Sequence, residues 1–376
     1  MIYLDHAAAT PVDSRVLEAM LPYFETDFYN PSAAYLPAKK VASDYDKAKG
    51  IIAHAIGAKT SDLVITAGAT EANNLAFTSV NGKSLYLITE HDSVRRVAEA
   101  HSGTSIKVLS NGLIDLSDLK NKLDDDVELV SVALVNNELG TIQPLSEVSR
   151  ILREVKLDRM KRGVKRQLLL HSDASQALNL LDISVSRLGV DLLTLNAAKV
   201  YGPKGVGALY VSHEARLNPL TQGGGQENGL RAGTENVPGV VGFAKAVELA
   251  QKHLNGNRKK YANWRDILLR NLEDYELINK KNALDNFVVI CYPGLDAERL
   301  IYLLEEQEVY VATGAACAAS KGVRSHVLAA IGLPSDWITG SLRITLGETN
   351  DEEQILKVAQ IINDVVTSER ERVGKQ

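Results

Sequence analysis

The chain has 376 residues, 45% of them hydrophobic and 24% charged, a globular composition longer than one core usually holds, so two domains are expected. Its 42 Lys and Arg against 47 Asp and Glu leave a net charge of −5 with no basic block, which argues against direct nucleic-acid binding or a membrane surface. Two cysteines, Cys291 and Cys317, exclude a disulfide framework and point to a reducing compartment, and no apolar run approaches the roughly 18 residues of a membrane span.

The opening MIYLDHAAATP has no basic stretch followed by an apolar run, so no secretory signal is read and a cytoplasmic location is expected. Short apolar runs then alternate with helical patterns. Strands are expected at 62–66, 84–89, 128–135, 167–171, 191–195 and 206–211, and helices at 71–80, 93–101 and 145–157. Several of the strands are nearly continuous apolar runs, as in strands buried on both faces. This alternation predicts a doubly wound α/β domain with a mainly parallel, mixed sheet, whose ligand site lies at the carboxyl ends of the strands. The basic run 153–166 reads as a solvated helix end and loop.

A glycine-rich loop, TQGGGQENGLRAGTENVPG, spans 221–239, and a long helical pattern runs from about 240 into the 260s. Beyond it a smaller α+β unit is expected: strand 286–291, helix 297–307, strand 309–312, strand 341–346 and helix 351–368. The border is set near 250, giving a large domain over 11–250 and a small one from 1–10 and 251–376.

Polar groups collect at the expected strand ends. AGATE at 67–71 follows one strand and opens a helix; small residues there let backbone N–H groups reach an anion, and Thr70 adds a hydroxyl donor. The alternative is a glycine turn with a threonine N-cap. Lys199 follows an apolar strand, and a desolvated lysine can form a Schiff base, though a snorkelling structural lysine is the competing reading. Asp173 ends another apolar run, where a carboxylate needs a cation or serves as a helix N-cap. Glu90-His91 and 136–140 (NNELG) end two more. Cys291 reads as an inert core residue. Cys317 lies among small residues, a setting suited to a nucleophile that must move.

Ten segments in this order resemble the cysteine desulfurases: YLDHAAATPV, NPS, AGATEANN, EHDSV, VNNELG, HSDASQA, KVYGPKGVGALYV, GGGQENGLRAGT, ATGAACAAS and SLRITLG. The resemblance covers nearly the whole chain. It implies a fold-type I pyridoxal 5'-phosphate enzyme, working as a homodimer on L-cysteine. It implies that Lys199 carries the cofactor, that His91 stacks on its ring, and that Asp173 pairs with the ring nitrogen while Gln176 reaches the ring hydroxyl. Ala69 and Thr70 would bind the phosphate, joined by Thr234 of the neighbouring subunit. Arg343, with Asn137 beside it, would clamp the substrate carboxylate. Cys317 would take the sulfur as a persulfide and pass it to an acceptor such as an iron–sulfur scaffold or a tRNA-thiolating enzyme.

The chain departs from the family beside the lysine. Asn196 and Ala198 stand where serine and histidine are usual, Asn196 still able to bind the cofactor phosphate but Ala198 not. Tyr35 replaces a common histidine and Ala38 a glycine, and His326 has no evident role. No resident metal is expected, because two cysteines cannot complete a site. Selenocysteine lysis, another reaction on the same fold, and a catalytically weakened partner-binding relative remain the competing readings.

Overall fold

The computed structural model describes residues 1–313 and 324–374, so Cys317 lies outside the described residues. A seven-stranded sheet forms the larger layer, in the order Leu63–Thr66, Gly207–Val211, Leu192–Asn196, Leu169–Asp173, Val127–Ser131, Lys83–Leu87, Thr104–Ile106. Gly207–Val211 is antiparallel to both its neighbours, and every other pairing that links Leu192–Asn196 to Thr104–Ile106 is parallel. Leu63 and Val130 are buried in one apolar cluster and their strand neighbours Val64 and Leu129 in another, as expected for strands covered on both faces. The mixed, mainly parallel α/β sheet predicted from the sequence is therefore the sheet observed.

One consequence decides where chemistry can occur. Because its two flanking strands run the same way, the carboxyl ends of Leu63–Thr66, Leu192–Asn196, Leu169–Asp173, Val127–Ser131 and Lys83–Leu87 share one edge. Gly207 sits between Asn196 and Thr66 there. A Cβ on Gly207 would lie 2.6 Å from the Leu195 carbonyl and 2.8 Å from Gly68 Cα, so only glycine lets the two turns approach this closely.

A second, four-stranded sheet has the order Ala312–Thr313, Ser341–Thr345, Phe287–Cys291, Glu276–Leu277, all antiparallel. The strand expected at 309–312 is in fact two. Val309–Tyr310 pairs with the N-terminal Ile2–Tyr3, and after Val311 the chain changes sheets so that Ala312–Thr313 joins Ser341–Thr345. The N-terminal segment thus reaches the C-terminal part of the chain, and an isolated bridge pairs Asp5 with Thr345.

Helices not singled out from the sequence include Ser14–Met20 and the 20-residue Leu36–Ala55, which packs on the 35-residue Val237–Asn271. That last helix is continuous through residue 250, where the domain border was expected. The basic run is a largely exposed helix end and loop, as expected, except at one residue. Arg159 is 2% exposed, and its Nη2 donates to the carbonyls of Asp124 and Val127, so this residue is a buried cross-brace and not part of a solvated face. No helix among the described residues is long and apolar enough to cross a membrane.

Candidate active site

The helix Ala69–Phe77 starts on Gly68, whose φ of +144° suits glycine, and it points its N-terminus at the sheet edge. Thr70 is therefore the second helical residue and not its cap, which corrects the capping alternative. Glu71 folds back so that Oε2 accepts from Ala67 N–H at 2.7 Å, while Oε1 accepts from Arg231 Nε at 3.1 Å. Ala69 is half-buried and Thr70 exposed.

Asn73, one helical turn further on, connects two of the predicted groups, Asp173 and His91. Its Nδ2 donates to Asp173 Oδ2 at 2.8 Å and to Ser93 Oγ at 2.9 Å, and Ser93 Oγ lies 2.9 Å from His91 Nδ1. Ser93 N–H also donates to His91 Nδ1, making His91 the N-cap of Asp92–Ala100. A neutral His91 held this way carries its proton on Nε2. The other Asp173 oxygen accepts from Ser175 N–H at 2.9 Å, so the carboxylate sits in a local turn that caps no helix.

Lys199 closes a short 3-10 turn, Ala197–Lys199, at the end of the neighbouring strand. Its Nζ donates to the carbonyls of Ala7, at 2.9 Å, and Ala8. Gln176 Nε2 donates to the same Ala7 carbonyl at 2.9 Å, so the two residues converge on one point of the N-terminal segment. Asn196 Oδ1 accepts from Ala198 N–H at 3.1 Å and caps that turn.

Arg343 lies in the strand Ser341–Thr345 and is 3% exposed. Its Nη2 meets Asp5 Oδ1 at 2.6 Å and its Nη1 donates to the Asn137 backbone carbonyl at 2.9 Å. Asn137 thus touches Arg343 through its main chain. Thr234 is exposed, in the glycine-rich loop that Arg231 ties to Glu71. Cys291 is fully buried and donates to the Trp337 carbonyl, and burial pushes its thiol up to about 12, which fits an unreactive core residue.

Two buried acids at this edge were not singled out individually from the sequence. Glu90 is 1% exposed; Oε1 accepts from Ala133 N–H at 2.6 Å and Oε2 has no partner among the described residues. Burial and then the nearby Asp173 charge push its carboxyl up to about 8. Glu138 accepts from Ser325 Oγ, and burial raises it to about 7. His326, unexplained by sequence, is in hydrogen-bond contact with the Glu90 carbonyl through Nε2 at 3.0 Å. The signal for Glu90 was present: an acid directly after an apolar strand is expensive unless it is protonated or paired.

A lysine and a carboxylate at adjacent strand ends, a histidine stitched to that carboxylate, and an open helix N-terminus define a fold-type I class of site. The chain belongs to the class-V aminotransferase family, whose model matches residues 2–358. Among its relatives, the putative cysteine desulfurase IscS 1 of Bacillus subtilis strain 168 is 38% identical over 97% of this chain and 98% of its own. The cysteine desulfurase IscS of Clostridium botulinum strain Hall is 35% identical over 98% and 95%. A solved NifS-like protein superimposes with a TM-score of 0.89 at 31% identity, covering 98% of this chain and 99% of that one. A structure of SspA in complex with cysteine gives 0.79 at 32% identity, over 92% and 99%.

Proposed function

We propose that this protein is a pyridoxal-phosphate-dependent cysteine desulfurase, which removes sulfur from L-cysteine and leaves L-alanine. The observation that carries the reading is the hydrogen-bonded chain His91–Ser93–Asn73–Asp173 beside Lys199, at the edge where the phosphate-type helix begins.

The residues present fit the cofactor. Asp173, with both oxygens fixed by neutral donors, offers a counter-charge to a protonated ring nitrogen. The N–H groups of Ala69 and Thr70, which start a helix, suit a phosphate, and Asn196 and the neighbouring subunit's Thr234 add polar groups. Gln176 suits the ring hydroxyl, and His91 the ring face. When bound, pyridoxal phosphate supplies an electron sink for charge developing at the substrate α-carbon.

Lys199 Nζ would hold the cofactor and, as a neutral amine, is placed to take the α-proton from substrate and later return it. The Ala7 and Ala8 carbonyls accept from Nζ and can hold it once it has become an ammonium by taking that proton. Arg343 binds the substrate carboxylate by paired charge-assisted bonds, with Asn137 alongside. The Cys317 thiolate attacks the substrate sulfur, forming an S–S bond as the carbon–sulfur bond breaks; the bond's electron pair stays with the carbon skeleton, which takes up a proton at the β-carbon and leaves as L-alanine. The reading includes a cytoplasmic homodimer that hands the Cys317 persulfide to an acceptor protein for iron–sulfur assembly or tRNA thiolation. It also includes a large domain over 11–250 and a small one from 1–10 and 251–376.

The test is spectroscopic. The purified protein is expected to carry a visible absorbance band that borohydride bleaches, Lys199→Ala to lack it, and Cys317→Ala to keep it while releasing no sulfide from L-cysteine. A colourless protein that cannot take up pyridoxal phosphate would contradict the proposal.

A further inference from the structure

Asp5 belongs to the opening motif YLDHAAATPV, which the mechanism above uses only through the carbonyls of Ala7 and Ala8. Its backbone is fixed on several sides. It bridges to Thr345, Tyr3 Oη donates to its carbonyl at 2.8 Å, and two residues on, Ala7 N–H donates to Thr345 Oγ1 at 3.0 Å. The carboxylate meets Arg343 Nη2 at 2.6 Å, with the side chains only 18% and 3% exposed.

A guanidinium has five N–H donors in one plane. Asp5 and the Asn137 carbonyl engage one each on the two terminal nitrogens. Nε is buried and has no partner among the described residues. A buried donor without an acceptor is unfavourable, and more so on a charged group, so an incoming carboxylate that supplies oxygens there gains what water cannot give. Two engaged corners also stop the plane from rotating, which fixes the direction in which the remaining donors point.

We propose that Asp5 is a positioning residue for substrate: its ion pair with Arg343 orients the guanidinium so that the remaining donors receive the amino-acid carboxylate. The proposal rests on the desulfurase reading and names the residue behind that site's preference for α-amino acids. A purely structural ion pair would stabilise the fold without affecting which amines bind.

The experiment compares the holoenzyme with Asp5→Asn and Asp5→Glu, titrating each with L-alanine and with ethylamine, which is the same molecule without the carboxylate. Binding is followed by the cofactor absorbance and turnover by sulfide release from L-cysteine. Asp5→Asn is expected to weaken L-alanine roughly 10- to 100-fold, the scale of one lost charge-assisted bond, and to leave ethylamine unchanged. The loss for L-cysteine falls on KM rather than on kcat. Asp5→Glu, which keeps the charge and is expected to fold, should retain a preference for L-alanine intermediate between the two.

Equal losses for both amines, or an unchanged or tightened affinity for L-alanine, would overturn the positioning role. The parent protein separates the two readings: if it binds L-alanine and releases sulfide while Asp5→Asn behaves identically, only the Asp5 role fails. If the parent takes up neither amine and releases no sulfide, both fail together.

Discussion

Ala198 has no polar side chain, and the neighbouring Asn196 uses its Oδ1 to cap the turn that ends at Lys199. In the proposed site, one phosphate donor beside the lysine is therefore missing. Restoring it with Ala198→His is expected to tighten cofactor binding about 10-fold or more, the worth of one hydrogen bond to a charged group. Equilibrium titration of the apoprotein checks this; an unchanged affinity would mean that other donors already hold the phosphate. Glu90 makes a second prediction at this scale. Its folded pKa, about 8 against an ordinary 4.5, is raised, so between those values the folded chain keeps a proton that the unfolded chain has lost. Stability is full below about 4.5 and falls as pH rises toward 8. Glu90→Gln cannot titrate, so its Tm should fall less than the parent's between those pH values, and equal slopes would contradict the assignment. Much at this scale was legible because apolar runs ended in groups that need partners, as with Lys199 and Asp173. Asn73, Ser93 and Asp5 were not, because their meaning lies in contacts with residues up to 338 positions away.

Among the elements, the strands of the main sheet were readable because burial on both faces leaves mostly apolar residues, as in Leu192–Asn196. The change of sheets at Val311 was not, because pairing partners leave no trace in a four-residue apolar run. Nor was the burial of Arg159, which follows from carbonyls brought in by another segment. The glycine-rich loop shows how one side chain can fix an element. Glu227, itself at a φ of +48°, accepts from Tyr45 Oη at 2.5 Å, Lys49 Nζ at 2.8 Å and Ile65 N–H at 2.7 Å. Both members of the Lys49–Glu227 pair are buried. Glu227→Ala leaves that lysine without its counter-charge and is expected to cost about 3–5 kcal/mol in urea unfolding. A loss under about 1 kcal/mol would show that the lysine finds another partner or water.

For the whole molecule, the N-terminal segment is the feature that joins distant parts. Residues 2–10 pair with Val309–Tyr310, meet Arg343 through Asp5, and receive Lys199 and Gln176 on Ala7. The lysine proposed to carry the cofactor and the arginine proposed to hold substrate thus rest on one strip of chain. Thr234 stands exposed on its loop, as a residue reaching a neighbouring subunit would. Sedimentation of the purified protein is expected to give the mass of two chains, and a monomer that binds cofactor fully would remove Thr234 from the site. The central claim is that sulfur leaves L-cysteine onto one thiol. Peptide mass analysis after brief exposure of the holoenzyme to L-cysteine tests it most directly. The account predicts one added sulfur atom on the peptide containing Cys317 and none on that containing Cys291; no added sulfur, or sulfur on Cys291, would contradict it.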